Sequence, residues 1–150
     1  MTAARNHTSA EDEAQILGAI RTWADKEVRP IARQHDHADE YPHHLVTQMQ
    51  DLGLFGATIG TEWGGLGLSA STYAKLVAII SEAWMAPTGI FNSHLIMAAC
   101  VERFGTIEQK QRFLPRFATG ELRGGLGLTE PNAGTDLQRI RTTARRDGDS

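Results

Sequence analysis

Apolar residues recur at helical spacing along most of this chain. Ile16, Leu17, Ile20, Trp23, Ala24 and Val28 share one face. Ser9 and Asp12 form a capping box at the head of that helix. Pro30 is expected to kink or end it, leaving a polar stretch over residues 33–40. Pro42 suits the first turn of a second helix, with Leu45, Val46, Met49 and Leu52 inward and Gly53 as its stop. Residues 54–59 are apolar and read as extended, and residues 60–68 form a glycine-rich loop. Ser69 caps a third helix carrying Tyr73, Leu76, Val77 and Ile80, which Pro87 keeps from running on. Thr88 or a neighbour begins a fourth, with Phe91, Leu95, Ala98 and Val101 inward and Gly105 ending it. Thr106 and Gln109 make a second capping box, for a fifth helix that reaches about Ala118 and bends near Pro115.

The pattern changes after Gly120. Residues 123–128 and 140–146 read as strands, residues 129–136 are dense in turn formers, and Asp147-Gly148 is a hairpin-turn signal. A hairpin turn without a returning strand leaves backbone groups unpaired, and two isolated strands make no stable sheet. The expectation is a mainly α chain. Residues 1–8 are a disordered N-terminus, residues 9–122 a helical domain, and residues 123–150 the incomplete beginning of a β domain. The alternative for that last segment is a flexible tail.

Composition adds mostly exclusions. Of the 150 residues, 41% are hydrophobic and 22% charged, with a formal charge of −3, as in an ordinary globular protein. No basic run points to nucleic acid or an anionic membrane surface. The N-terminus lacks an apolar signal core, and the apolar stretches at 76–80 and 95–101 are too short to span a bilayer. These features lead to the expectation of a soluble, cytoplasmic protein without membrane insertion. Cys100 lies in an apolar helical stretch, is expected in the core, and has no second cysteine to pair with.

Three segments invite a chemical reading. Gly65-Leu-Gly-Leu-Ser-Ala70 matches a relaxed dinucleotide fingerprint, but it lacks both the preceding parallel-strand unit and the acidic residue that the fingerprint needs. Its glycines are better read as letting the backbone turn between helices. His35, His37, His43 and His44 lie among Asp36, Asp39 and Glu40, without the ligand spacing of a zinc site; a polar surface between helices is expected, and no metal. The third segment is Leu126-Gly-Leu-Thr-Glu-Pro-Asn-Ala-Gly-Thr-Asp136. It offers the hydroxyls of Thr129 and Thr135, with backbone N–H groups in a turn that glycine opens to close approach. Such a loop can hydrogen-bond a polar heterocycle and a phosphate; an ordinary proline-containing turn has the same composition.

The stretch from Leu128 to Asp136 resembles the signature of the acyl-CoA dehydrogenase family, which usually has serine where this chain has Thr135. Glu62-Trp-Gly-Gly-Leu-Gly-Leu68 resembles the family's E-Y-G-G-L-G-L loop, and the segment from Phe104 to Arg116 resembles its F-G-T-E-E-Q-K-x-x-Y-L-P. Ala118-Thr-Gly-Glu-Leu122 and Ile140-Arg-Thr-Thr-Ala144 also fit. These motifs are collinear and cover nearly the whole chain.

The resemblance implies an N-terminal helical domain, a middle β domain and a C-terminal helical domain, assembled as a homotetramer. It implies an FAD flavoprotein, an oxidoreductase of acyl-CoA or fatty acid metabolism that desaturates an acyl-CoA thioester at its α and β carbons. An electron-transfer flavoprotein would accept the electrons. Leu126, Leu128 and Thr129 would contact the flavin ring, and Gly134 and Thr135 its pyrophosphate. Thr135 would also lie by the pantetheine, while Asn92 and Ile96 would line the acyl pocket. The family's catalytic glutamate has no counterpart here and is expected beyond Ser150; Glu130 is not its substitute. This chain is therefore expected to catalyse nothing alone. The alternatives are a flavin oxidase or monooxygenase of the same fold, or a non-catalytic helical module that binds a partner.

Overall fold

Among residues 9–148, which the computed structural model describes, six α-helices form; the expectation for residues 1–8 lies outside these. Helix α1 (Ala10–Trp23) begins where Ser9 accepts from the Asp12 backbone N–H. Pro30 does not end this helix. The backbone widens into a π-helical turn, Ala24–Val28, in which the Arg29 N–H reaches back five residues to Ala24, and α2 follows directly (Arg29–Ala38). A widened turn ahead of a proline absorbs its missing donor and its ring. The polar stretch is therefore helical as far as Ala38, and Asp39 stops it in a left-handed conformation (φ 54°).

The remaining helices follow the expected faces. Helix α3 (His43–Asp51) buries Leu45, Val46 and Met49, and Gly53 stops it with φ 70°. Helix α4 (Ala70–Ala83) starts at the Ser69 cap, α5 (Ala86–Phe104) follows after two residues, and α6 (Ile107–Ala118) begins with a complete Thr106–Gln109 capping box. Pro115 lies inside α6. Helix α1 packs on α4, α4 on α5, and α5 on α6.

Residues 54–59, expected to be extended, instead form a short 3₁₀ turn (Leu54–Gly56) and a run of further turns. They fill the centre of the molecule, with Leu54, Phe55 and Ala57 wholly buried, packed by α3, α5 and α6. A strand needs a ladder partner, and helices surround this segment. Its buried carbonyls must still be satisfied. The glycine-rich loop does most of this work: Leu66, Gly67 and Leu68 donate their N–H groups to Gly56, Ile59 and Ala57 at 2.8–2.9 Å. Gly65 is required by packing, because a Cβ there would lie 2.2 Å from the Ile59 carbonyl oxygen.

His94 meets the carbonyl of Phe55. Only 1% exposed, it stands on the buried face of α5 with its Nε2 3.1 Å from the Phe55 oxygen and 3.0 Å from that of Phe117. Its Nδ1 accepts from the Gly124 N–H at 3.2 Å. Nδ1 is therefore unprotonated, and the proton sits on Nε2, shared between the two carbonyls. The rings of Phe55 and Phe117 meet the imidazole edge-on, each with centroids 5.3 Å away.

Two further expectations are corrected. Residues 123–128 and 140–146 form no strand; the described residues contain a single isolated bridge, Glu130 with Ala133. Neither segment pairs with the other, and without a ladder neither becomes a strand. Cys100 is exposed rather than core, because α5 turns Thr88, Phe91, His94, Leu95 and Ala98 inward and carries position 100 outside.

Two predictions follow from this packing. Gly65→Ala should destabilise the chain by about 1–3 kcal/mol in a urea melt, whereas Gly125→Ala, which meets nothing within 4 Å, should be close to neutral. The second concerns pH. Burial holds the His94 imidazole below its ordinary value of 6.5, with Arg123 adding to the effect against the two carbonyl bonds. The unfolded chain then binds more protons than the folded one, so the stability from neutral His94 is complete above pH 6.5 and is lost as pH falls below it. Denaturant midpoints measured between pH 7.5 and 5 should fall more steeply for the unsubstituted chain than for His94→Gln; parallel curves would contradict the assignment.

Candidate functional site

Beyond Gly120 the chain leaves the helices along a pinned path. Gln50 Nε2 donates to the Gly120 oxygen at 2.9 Å, the Leu122 N–H to the Arg116 oxygen at 3.1 Å, and the Gly124 N–H to His94. Gly124 lies hard against α5, where a Cβ would come within 2.7 Å of Met97 Cγ. The Arg123 guanidinium stands 5.9 Å from the centre of the Phe55 ring.

Past this point, among the described residues, no hydrogen bond reaches back to the helices. Among the described residues, the backbone N–H groups of residues 125–129, Gly134 and Thr135 have no protein partner. Leu126 and Leu128 are 45% and 42% exposed, and Thr129, Gly134 and Thr135 are exposed as well. The loop is nevertheless ordered by its own groups. Glu130 and Ala133 exchange backbone bonds of 2.8 and 3.2 Å across Pro131-Asn132, with Ala133 buried beneath the turn. This fold brings Thr129 and Gly134 together: the Thr129 methyl lies 4.0 Å from where a Gly134 side chain would start. Asp136 accepts from the Gln138 N–H and starts a 3₁₀ turn, Leu137–Arg139.

Glu130 closes the loop on itself. Its carboxylate accepts from the backbone N–H groups of Arg141 and Thr142 at 2.9 and 2.8 Å, and from the Thr142 hydroxyl. The Thr142 hydroxyl and these backbone donors hold the carboxyl below the usual glutamate range. A carboxylate engaged in this way orders the backbone and makes a poor proton acceptor.

Taken together, the site presents free N–H donors, two hydroxyls, open glycines and two exposed leucines. Hydrophobic rims around a few convergent donors suit a flat heterocycle carrying polar edges and a phosphate. The flavin and pyrophosphate implied by the resemblance make these demands, and the residues present fit them.

The two residues expected at an acyl pocket lie on the outer face of α5. Asn92 borders a groove of about 570 Å³ between α4 and α5, shared with Tyr73, Val77, Met85 and Gly89. Its Oδ1 accepts from the Tyr73 hydroxyl at 2.8 Å; burial pushes that hydroxyl's pKa up to about 12, so it stays a donor. Ile96, one turn further along, is 43% exposed and does not line the groove.

The histidine cluster interlocks helix ends. The His35 ring stands 5.6 Å from that of His44 and 6.0 Å from Trp84, whose indole N–H points to Asp36 at 3.4 Å. Among the described residues, no group of three or more His, Cys, Asp or Glu is placed to hold a metal ion. No helix among them is long and apolar enough to cross a membrane. The sequence reading missed His94: a single histidine among apolar residues at core spacing carries no local signature, and the three groups that hold it come from distant segments.

Comparison with known proteins is consistent with this geometry. The profile described as the N-terminal domain of acyl-CoA dehydrogenases matches residues 10–121. The chain is 37% identical to the short-chain specific acyl-CoA dehydrogenase of Clostridium acetobutylicum over 92% of its own length and 37% of that protein's. Among solved structures, it resembles a chain from work on the electron transferring flavoprotein of Acidaminococcus fermentans (TM-score 0.85, 32% identity, 95% of this chain and 38% of that one). It also resembles butyryl-CoA dehydrogenase from Megasphaera elsdenii (TM-score 0.79, 26% identity, 88% and 36%). The chain thus spans about a third of the length of the curated relatives it matches. A profile that covers all six helices, together with collinear motifs and a shared fold, establishes that the chain belongs to the acyl-CoA dehydrogenase family.

Proposed function

We propose that this chain supplies the helical part and the first flavin-binding loop of an FAD-dependent acyl-CoA dehydrogenase. The observation that carries this reading is the open loop of residues 125–135, whose free donors and exposed leucines overlap residues 128–136, the segment that resembles the family's signature. In this reading residues 9–122 are the helical domain, and residues 123–150 begin a β domain that other parts of the polypeptide complete.

Each residue then has a definite task. The backbone donors beside Leu126 and Leu128, with the Thr129 hydroxyl, hold the polar edge of the flavin ring, and the two leucines keep water from it. Gly134 and Thr135 donate toward the pyrophosphate, and Thr135 also toward the pantetheine. Threonine in place of serine keeps the hydroxyl and adds one methyl group. Asn92 and Ile96 contribute to the acyl wall. Bound flavin supplies the hydride-accepting chemistry that no side chain has. The base that takes the α-proton is a glutamate outside these residues, since Glu130 is committed to the backbone of residues 141–142.

An acyl-CoA thioester is the substrate, an electron-transfer flavoprotein the electron acceptor, and the assembled enzyme a cytoplasmic homotetramer. The names of a relative, an acyl-CoA dehydrogenase, and of a structural neighbour, an electron transferring flavoprotein, support the substrate and the electron acceptor.

Adding saturated acyl-CoA thioesters anaerobically to the purified complete gene product should bleach its oxidised flavin bands. No bound flavin, or no bleaching at any chain length, would refute the proposal. Rapid reoxidation by oxygen would instead favour an oxidase. Thr129→Ala should weaken FAD retention by about one hydrogen bond, roughly 0.5–1.5 kcal/mol; an unchanged dissociation constant would mean that this hydroxyl does not hold the cofactor.

A further inference from the structure

Among the described residues, the last hydrogen bond between the helical body and the candidate flavin loop is the one from the Gly124 N–H to His94. Resting on the flavin reading above, we infer that His94 is a positioning residue for the cofactor: its Nδ1 fixes the point from which the flavin-binding loop departs.

The geometry supports this in three ways. First, the anchor is rigid. His94 is almost completely buried, its Nε2 is shared by carbonyls from the central turn and from the end of α6, and two phenylalanine edges close on its ring. Its tautomer is set by these partners, so Nδ1 presents an acceptor in a fixed direction. Second, the anchor is the last one. The bond from Gly124 is followed by five residues whose N–H groups have no partner among the described residues. Third, the distance is short. Leu126 is two residues from Gly124, at most about 7 Å of extended chain, so a displaced Gly124 moves the first proposed ring contact with it. Gly124 suits the contact because any side chain there would strike Met97. A loop whose donors must meet a ligand within hydrogen-bond tolerance gains from a fixed origin, since each displaced donor weakens binding without any contact residue being changed.

Two substitutions separate anchoring from packing. Asparagine places an oxygen near the position of Nδ1 and vacates that of Nε2. Glutamine reaches the Nε2 position as a donor and leaves Gly124 without its acceptor. In the complete gene product, His94→Gln should keep its helical fold yet bind FAD roughly threefold to tenfold more weakly, the range for one lost hydrogen bond. His94→Asn should melt at a lower temperature, yet hold FAD more tightly than His94→Gln does. The reverse ranking, or equal FAD affinity in all three proteins, would overturn the positioning role.

Hydrogen exchange on the unsubstituted apoprotein needs no variant to fold. The Gly124 amide should be protected while residues 125–129 exchange freely, and added FAD should slow that second group. A Gly124 amide as fast as that of Gly125 would overturn the inference. Failure of the functional reading would look different: unsubstituted protein that takes up no flavin, which refutes the positioning role together with the function it serves.

Discussion

The architecture depends on burying an irregular piece of backbone. Residues 54–59 lie at the centre of a helical protein, where every carbonyl removed from water must find a donor or cost on the order of 1–3 kcal/mol. Helices cannot supply those donors, because their own N–H groups are already used. Beyond the segment's own turn bonds, the donors come from two sources: the glycine-rich loop and the imidazole of His94. Both are constrained by the task. The loop must come close enough to leave no room for a side chain at Gly65, and His94 must be neutral with its proton on Nε2. The resemblance of Gly65–Ala70 to a nucleotide fingerprint then has a mechanical origin, since both designs use glycine to aim backbone N–H groups at oxygen atoms. Here the oxygens belong to the protein.

Because His94 uses both ring nitrogens, the same residue that satisfies the core also determines how the chain leaves it. One nitrogen closes the account of Phe55 and Phe117, and the other receives Gly124. Core and exit path are therefore coupled through a single five-membered ring, which transmits position because it has no internal freedom. A serine or glutamine could satisfy a carbonyl at this site, but a hydroxyl has no rigid plane, and glutamine carries its donor and acceptor on a longer, more flexible stem.

What the sequence made legible follows from the range of the interactions concerned. Caps and helix faces are local, so Ser9, Ser69 and the Thr106–Gln109 pair announced their helices, and Leu45, Leu76 and Phe91 their inward sides. Pro30 does not end the helix, because the rule for proline assumes a regular α-turn and a widened turn absorbs its missing donor. Residues 54–59 misled because hydrophobicity without periodicity fits a strand or any buried segment; only the surrounding helices decide between them. Cys100 was assigned to the core by the character of its neighbours, although its angular position on α5 puts it outside. His94 was invisible for the opposite reason: all of its partners are 23 or more residues away.

The loop itself was legible as chemistry and illegible as geometry. Its hydroxyls and glycines can be read from residues 126–136, whereas the role of Glu130 depends on where residues 141 and 142 return. That return explains how a segment without strands can be ordered and still keep its donors free. The carboxylate gathers the N–H groups on the far side of the turn, and the Glu130–Ala133 bridge secures the near side. Among the described residues, the N–H groups of residues 125–129, 134 and 135 thus stay unpaired on either side of the Glu130–Ala133 turn. Exposed to water, these groups carry no desolvation penalty and do not destabilise the fold. Covered by an apolar surface they would, so a ligand that buries Leu126 and Leu128 must also bring acceptors. This pairing of requirements selects for a ring with a polar edge over a purely hydrophobic guest.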